Sequence, residues 1–118
     1  MNNKKLGQVK NLIMLALADG KATESELALI AAIASREELT QEELDNLIDH
    51  PESVSIELPE DDDEKLRYME DMVGLMMIDG DLDDNEMAMC KIYAIMLGYE
   101  SDIVERMILD ISEKLKEL

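Results

Sequence analysis

Apolar residues recur three and four positions apart through most of the chain, which is the spacing of one face of an α-helix. Six such stretches can be delimited. The first runs from Lys5 to Asp19 and is apolar nearly all round from Leu12 to Ala18, as in a helix covered on most sides. Gly20 follows it as a helix-ending residue suited to the left-handed conformation. Thr23-Glu24-Ser25-Glu26 is a capping box, in which the Thr side chain covers an orphan amide and Glu26 reaches back to the cap amide. The predicted second helix runs on to about Arg36, and its Ala28, Ala31, Ala32 and Ala34 permit close helix approach. Thr40-Gln41-Glu42-Glu43 is another capping box, opening a short helix with Leu44, Leu47 and Ile48 inward. The fourth helix spans about Asp62 to Asp79, with Leu66, Met69, Met72, Val73 and Met76 on one face and Gly80 at its end. Asp83 caps the fifth, with Glu86 at the capping-box position; it runs to Leu97 and stops at Gly98. Ser101 opens the last, whose stripe is Val104, Met107, Ile108, Ile111, Leu115 and Leu118.

Pro51 and Pro59 interrupt regular helix between the third and fourth stretches. Val54, Ile56 and Leu58 alternate with polar residues there, but a lone stretch has no strand to pair with. Residues 51–61 therefore read as an extended linker whose apolar side chains are pinned to the helices. The expected fold class is all-α, a single compact domain of about six helices. The chain also repeats itself at an offset of 60 residues. Leu12 through Ala34 aligns with Met72 through Ala94 without a gap, and Asp19-Gly20 and Glu26 fall on Asp79-Gly80 and Glu86. Repeat one covers about 6–50 and repeat two about 62–118. Two copies are too few for a solenoid, which needs about three. They suit approximate two-fold symmetry, with Leu12–Ala18 packed near Met72–Ile78 and both segments covered on most sides.

Composition narrows the function. The 118 residues include 29 acidic and 11 basic side chains, a net charge of −18. Nucleic acid and anionic membranes demand a basic face, so neither is an expected partner; cations and basic or helical proteins are. One Cys allows no internal disulfide, and with one His the metal sites and catalytic triads that need several His or Cys are largely excluded. No apolar run reaches the roughly 18 residues of a membrane span. Ala16-Leu17-Ala18 after Lys4 and Lys5 resembles a signal-peptidase site. However, polar residues occupy 7–11, where the apolar run should begin, and the segment recurs in mid-chain. It reads as a folded helix, and the protein as cytoplasmic.

The pattern Ala18-Asp19-Gly20 with Glu26, repeated as Ile78-Asp79-Gly80 with Glu86, resembles the TerB-like family, the tellurite-resistance domain also found in the N-terminal region of DjlA-type co-chaperones. The resemblance covers about Leu6 to Leu115. It implies an all-helical acidic domain linked to stress responses that binds divalent metal through shared acidic residues, which here are Asp19, Glu26, Asp79 and Glu86. The first copy departs from the pattern, with Lys21, Ala22 and Thr23 where the second has Asp81, Leu82 and Asp83; this weakens a metal role for the first loop. No J-domain accompanies the pattern, and His50-Pro51-Glu52 lacks both the final Asp and the preceding basic helix of one.

The densest candidate chemistry is Asp79-Gly80-Asp81-Leu82-Asp83-Asp84-Asn85-Glu86, with five carboxylates and an amide in eight residues. Oxygen ligands on a loop suit a hard cation such as Ca²⁺ or Mg²⁺. The segment is not an EF-hand, because Asp84 stands where the sharp turn needs Gly and Cys90 where a bidentate Glu belongs. Helix capping accounts for Asp83, Asp84 and Glu86. It does not account for Asp79 or Asp81; Asp79 sits at a helix C-terminus, where the dipole disfavours negative charge, and the first copy keeps the same acid in Asp19. The metal candidates are thus Asp79, Asp81, Asp83, Glu86, Asp19 and Glu26. Eight of the ten methionines lie in the second copy, at 69, 72, 76, 77, 87, 89, 96 and 107. They are core filling in a chain without Phe or Trp, or an adaptable binding face. Cys90 reads as a buried inert thiol, no phosphate-binding loop occurs, and enzyme chemistry is not expected. Two functions stand: a stress-related domain with a weak divalent-cation site, or a metal-free interaction module using an acidic or Met-rich surface.

Overall fold

Leu12, Leu15, Met72 and Leu75 are almost wholly withdrawn from solvent, and they place two helices at the centre of the molecule. The computed structural model describes residues 3–18, 20, 22–53, 58–78, 83–100 and 102–116. Its helices are α1 (Asn3–Ala16), α2 (Glu24–Arg36), α3 (Gln41–Asp49), α4 (Asp62–Met77), α5 (Asp84–Met96) and α6 (Ile103–Lys116). No strand occurs among the described residues. The radius of gyration is 13.6 Å, close to the ~13.5 Å expected of a compact chain this long. No described helix is long and apolar enough to cross a membrane.

The most extensive helix–helix contact joins α1 to α4. Around that pair the two repeats are arranged alike. α1 carries α2 and α3 as α4 carries α5 and α6, and the cross-contacts α2–α4 and α1–α5 correspond. A polar bond also crosses the central contact: Gln8 Nε2 donates to the Tyr68 carbonyl at 3.1 Å, between positions 60 apart. The expected packing of Leu12–Ala18 near Met72–Ile78 is found. Full coverage of these segments is not: Met14, Leu17 and Ile78 are each more than two-fifths exposed. Four neighbouring helices leave an open strip on a central pair, and both chain segments leave the helix early, at Ala16 and Met77. Two further side chains expected inward, Ile48 and Leu66, are also exposed. Ile48 lies beyond the face that Leu44 and Leu47 bury, and Leu66 borders a shallow depression between α4 and α6. The linker is not wholly extended, since Pro51–Ser53 forms one 3-10 turn. Leu58 packs on the core as expected, while Val54 and Ile56 lie outside the described residues, as do Ser101 and Leu118.

The helix ends follow the sequence closely. Thr23 and Thr40 each accept from the backbone N–H three residues on, and Glu26 and Glu43 reach back to the cap amides. At the C-termini, α2 and α5 share one closing motif. Leu39 N–H donates to Ala34 O at 2.9 Å and Glu38 N–H to Ser35 O at 3.0 Å; Tyr99 and Gly98 repeat this on Ala94 and Ile95 at the same distances. These are paired Schellman motifs. The residue at the turn has φ +95° at Gly98 but +65° at Glu38, where a side chain costs about 1–2 kcal/mol. Glu38→Gly should therefore stabilise the fold by about 0.5–1 kcal/mol, once the extra freedom of an unfolded glycine is offset. Gly98→Ala should destabilise it by about 1 kcal/mol or more. Thermal melts of the two variants should shift in opposite directions.

Candidate functional site

Asp83, Glu86 and Glu26 are the only expected metal ligands within the described residues; Asp19, Asp79 and Asp81 lie outside them. Two of the three that can be placed have carboxylates engaged in capping. Asp83 Oδ2 accepts from the Glu86 backbone N–H at 3.2 Å. Thr23 Oγ1 accepts from the Glu26 N–H at 3.1 Å, and Glu26 Oε1 accepts from the Thr23 N–H at 2.9 Å. Glu86 gives only its backbone N–H to its cap, without the reciprocal bond that completes the capping boxes at Thr23 and Thr40, and its Oε2 is buried without a hydrogen bond among the described residues. Glu26 and Glu86 are buried, whereas the capping-box Glu43 is only half-buried. The structure does not draw Glu26 together with Asp83 and Glu86. Among the described residues no group of three or more His, Cys, Asp or Glu is placed to hold a metal ion.

The methionines divide into two populations. Met69, Met72, Met76 and Met107 fill the core, while Met89 is half-buried and Met96 is half exposed. Met72, Met89 and Met96 meet Ile92, Tyr93 and Asn11 around a pocket of about 160 Å³ between α1, α4 and α5. Its outer lip is the solvent face of α5, where Ile92 and Ile95 are each 59% exposed. The exposed positions in the second half of that helix, Ile92, Ile95 and Met96, are all apolar. Asn11 also lines the pocket and is 7% exposed, but its Nδ2 is withdrawn from solvent and the side chain acts as a hydrogen-bonding neighbour of the Tyr93 hydroxyl. Tyr93 is beside it, with its hydroxyl donating to Gln8 Oε1 at 3.4 Å. The other two depressions, between α4 and α6 and at the start of α4, are edged by charged side chains of both signs.

The place related to this one by the 60-residue offset carries an ion pair instead. Sixty residues separate Asn11 from Asp71 and Arg36 from Met96. Where the second repeat has Met96 over Asn11, the first has the Arg36 guanidinium on the Asp71 carboxylate, at 3.1 and 2.7 Å. That fork seals α2 against α4, and Asp71 holds the Arg36 pKa above its ordinary value. Leu12, Leu29, Ala32 and Ile33 are the counterparts of Met72, Met89, Ile92 and Tyr93. Smaller side chains and an ion pair thus occupy one place, while larger ones and a neutral pair line the pocket at the other. The methionines gave the sequence signal for half of this site. Asn11, Ile92 and Tyr93 carried none of their own, and comparing the repeats two positions past their aligned block would have found the contrast.

Cys90 is fully buried and its thiol pKa is pushed up to about 12, by burial first and then by the Glu86 charge. The thiol is therefore neutral and shielded, as the sequence suggests. Burial likewise pushes the Tyr93 hydroxyl up to about 12, with the Asn11 amide pulling the other way. No family model and no curated protein matches this sequence, and no solved structure matches its fold.

Two predictions follow from these geometries. Asp83→Ala should cost about 1 kcal/mol through the lost cap. If capping is its whole role, the loss is equal with Ca²⁺, with Mg²⁺ and with chelator in denaturant melts. Cys90 and Tyr93 both bind their protons more tightly folded than unfolded. The stability this adds is complete below the unfolded values of about 9–10 and is lost as pH rises toward about 12. Denaturant midpoints should fall steadily from pH 9 to 11, and Cys90→Ala should fall less steeply over that range.

Proposed function

We propose that this protein is a non-enzymatic, TerB-like interaction module of the cytoplasm that receives an apolar side chain of a partner in the groove between α1, α4 and α5. The observation carrying the reading is the contrast between the repeats, with the Arg36–Asp71 ion pair at one place and an apolar pocket between Met96 and Asn11 at its counterpart. Size supports a side chain over a metabolite. Small-molecule sites occupy about 300–1,000 Å³, whereas an apolar cavity of about 150 Å³ suffices for a benzene ring. Exposed methionines adapt to irregular partners. The TerB-like resemblance connects such a role to stress responses, tellurite among them.

The test is a methyl NMR titration with toluene, a minimal apolar side chain. The methyl groups of Met89 and Met96 should shift and saturate, while those of Met69 and Met76, which do not line the pocket, stay put. Uniform small shifts, or none, would remove the groove from consideration.

A second reading, a weak site for Ca²⁺ or Mg²⁺, is favoured by one specific observation. Glu26 and Glu86 are buried at equivalent places, 3% and 5% exposed, each at the start of a helix that follows an Asp-Gly loop. Burying a carboxylate is costly unless it is compensated, and a cation held with Asp19 or with Asp79, Asp81 and Asp83 would contribute to that. Under this reading millimolar Ca²⁺ or Mg²⁺ raises the melting temperature more than NaCl of matched ionic strength, and Asp79→Asn removes the difference. Superimposable melts would leave the interaction module alone.

A further inference from the structure

We propose that Met96 is an oxidation site that switches the groove: a hydroperoxide converts its thioether to the sulfoxide, and the oxidised groove releases its apolar ligand. This concerns the regulation of the docking site described above and rests on that reading. It starts from how the sulfur of this chain is distributed. Susceptibility to oxidants follows thiolate character and exposure. The one thiol, Cys90, is fully buried, and burial holds it protonated well past neutral pH. It therefore offers an oxidant neither access nor a thiolate. A thioether needs no deprotonation, and among the described methionines exposure is graded. Met96 is 51% exposed and Met14 43%. Met77, Met87 and Met89 are half-buried, and Met69, Met72, Met76 and Met107 lie in the core. Met14 and Met96 are thus the thioethers that an oxidant reaches first, and of these two Met96 alone lines the pocket.

That position gives the chemistry a consequence. A lone pair on the Met96 sulfur attacks one peroxide oxygen, and the O–O bond breaks as the S–O bond forms. With hydrogen peroxide the other oxygen leaves as water, taking the proton of the transferred one. The sulfur gives up two electrons and the peroxide gains them. A flexible apolar wall becomes a polar, chiral one. Its new oxygen is satisfied only by water at the pocket mouth, because the two polar side chains of the lining do not reach it. Asn11 Nδ2 is withdrawn from solvent, and the Tyr93 hydroxyl donates to Gln8. Seating an apolar group strips that water, and burying a polar group without a partner is unfavourable. The core methionines and Cys90 stay shielded, so the fold outlasts the change. Methionine sulfoxide reductases, one for each epimer, reverse it.

The intact protein treated with limiting hydrogen peroxide tests this in two ways. Tryptic mass mapping reads the site. Trypsin releases Met96 as the one methionine of residues 92–106 and Met14 as the one of 11–21, apart from the six methionines of 68–91 and from Met107 on 107–114. The peptides 92–106 and 11–21 should each gain one oxygen before the other two do. Titration with toluene, read through the methyl signals of Met72 and Met89, reads the consequence. The oxidised protein should bind about fivefold more weakly than the reduced one, the factor that one poorly solvated polar group supplies, and the two reductases together should restore binding. Met14→Leu should behave as wild type. Met96→Leu should bind toluene equally before and after peroxide, and Met96→Gln should show the loss without peroxide. If 68–91 is oxidised as fast as 92–106, the site assignment falls. If Met96 is oxidised and toluene binds as before, the switch falls and the groove stands. A Met96→Leu protein that still loses toluene under peroxide would move the switch to another residue. If the reduced protein binds no toluene, the docking site itself is wrong and the switch goes with it.

Discussion

The contact of α1 with α4 is the constraint on which the rest of the molecule depends. A chain without Phe or Trp has to fill its centre with branched aliphatic side chains and methionine. Val9, Leu12 and Leu15 of α1 meet Met69, Met72, Val73 and Met76 of α4, all essentially without exposure. Fully burying a side chain of this kind is worth about 1.5–3 kcal/mol, so the pair outweighs any surface ion pair, which contributes at most about 1 kcal/mol. Gln8 adds direction rather than strength. Its bond to the Tyr68 carbonyl would be left unmade, with both groups buried, if the two helices slid past one another. The four outer helices then share one task, covering the flanks of the central pair, and the two repeats perform it in the same way.

That division explains what was legible in the sequence. Capping boxes act through a hydroxyl and a carboxylate three residues apart, so Thr23 with Glu26 and Thr40 with Glu43 fixed the starts of α2 and α3 to the residue. The all-α class and the pairing of the repeats followed from periodicity and offset. Exposure was harder to read. An apolar residue in a helix is counted toward the core whether or not a neighbour reaches it, and Met14, Ile48 and Leu66 are apolar positions that no helix covers. The left-handed Glu38 was invisible for a related reason. Its counterpart Gly98 announces the motif by its residue type, whereas Glu38 adopts the same turn because its surroundings demand it.

The candidate site was legible only in part, because groove geometry depends on differences between copies rather than on likeness. The acidic loop drew attention through density alone, yet Asp83 and Glu26 prove to be engaged in local caps. The Asn11 and Asp71 pair shows the opposite case. A carboxylate at one position and an arginine at its mate form an ion pair, whereas an amide and a methionine at the offset positions border an apolar pocket. Neither residue belongs to a motif, and each acts through what the other lacks.

An open apolar face on a small acidic protein also needs a physical reason to persist without self-association. The exposed stripe on α5 would, in a neutral protein, favour burial against another copy, since contiguous apolar patches drive association. Here 29 acidic residues against 11 basic ones supply a repulsion that acts on every approaching copy, over the ~8 Å that physiological salt permits. The same field is attractive to a basic chain. Apolar face and net charge therefore act together: the first provides adhesion that is indifferent to partner, and the second removes the partner most abundant near any given molecule, its own copy.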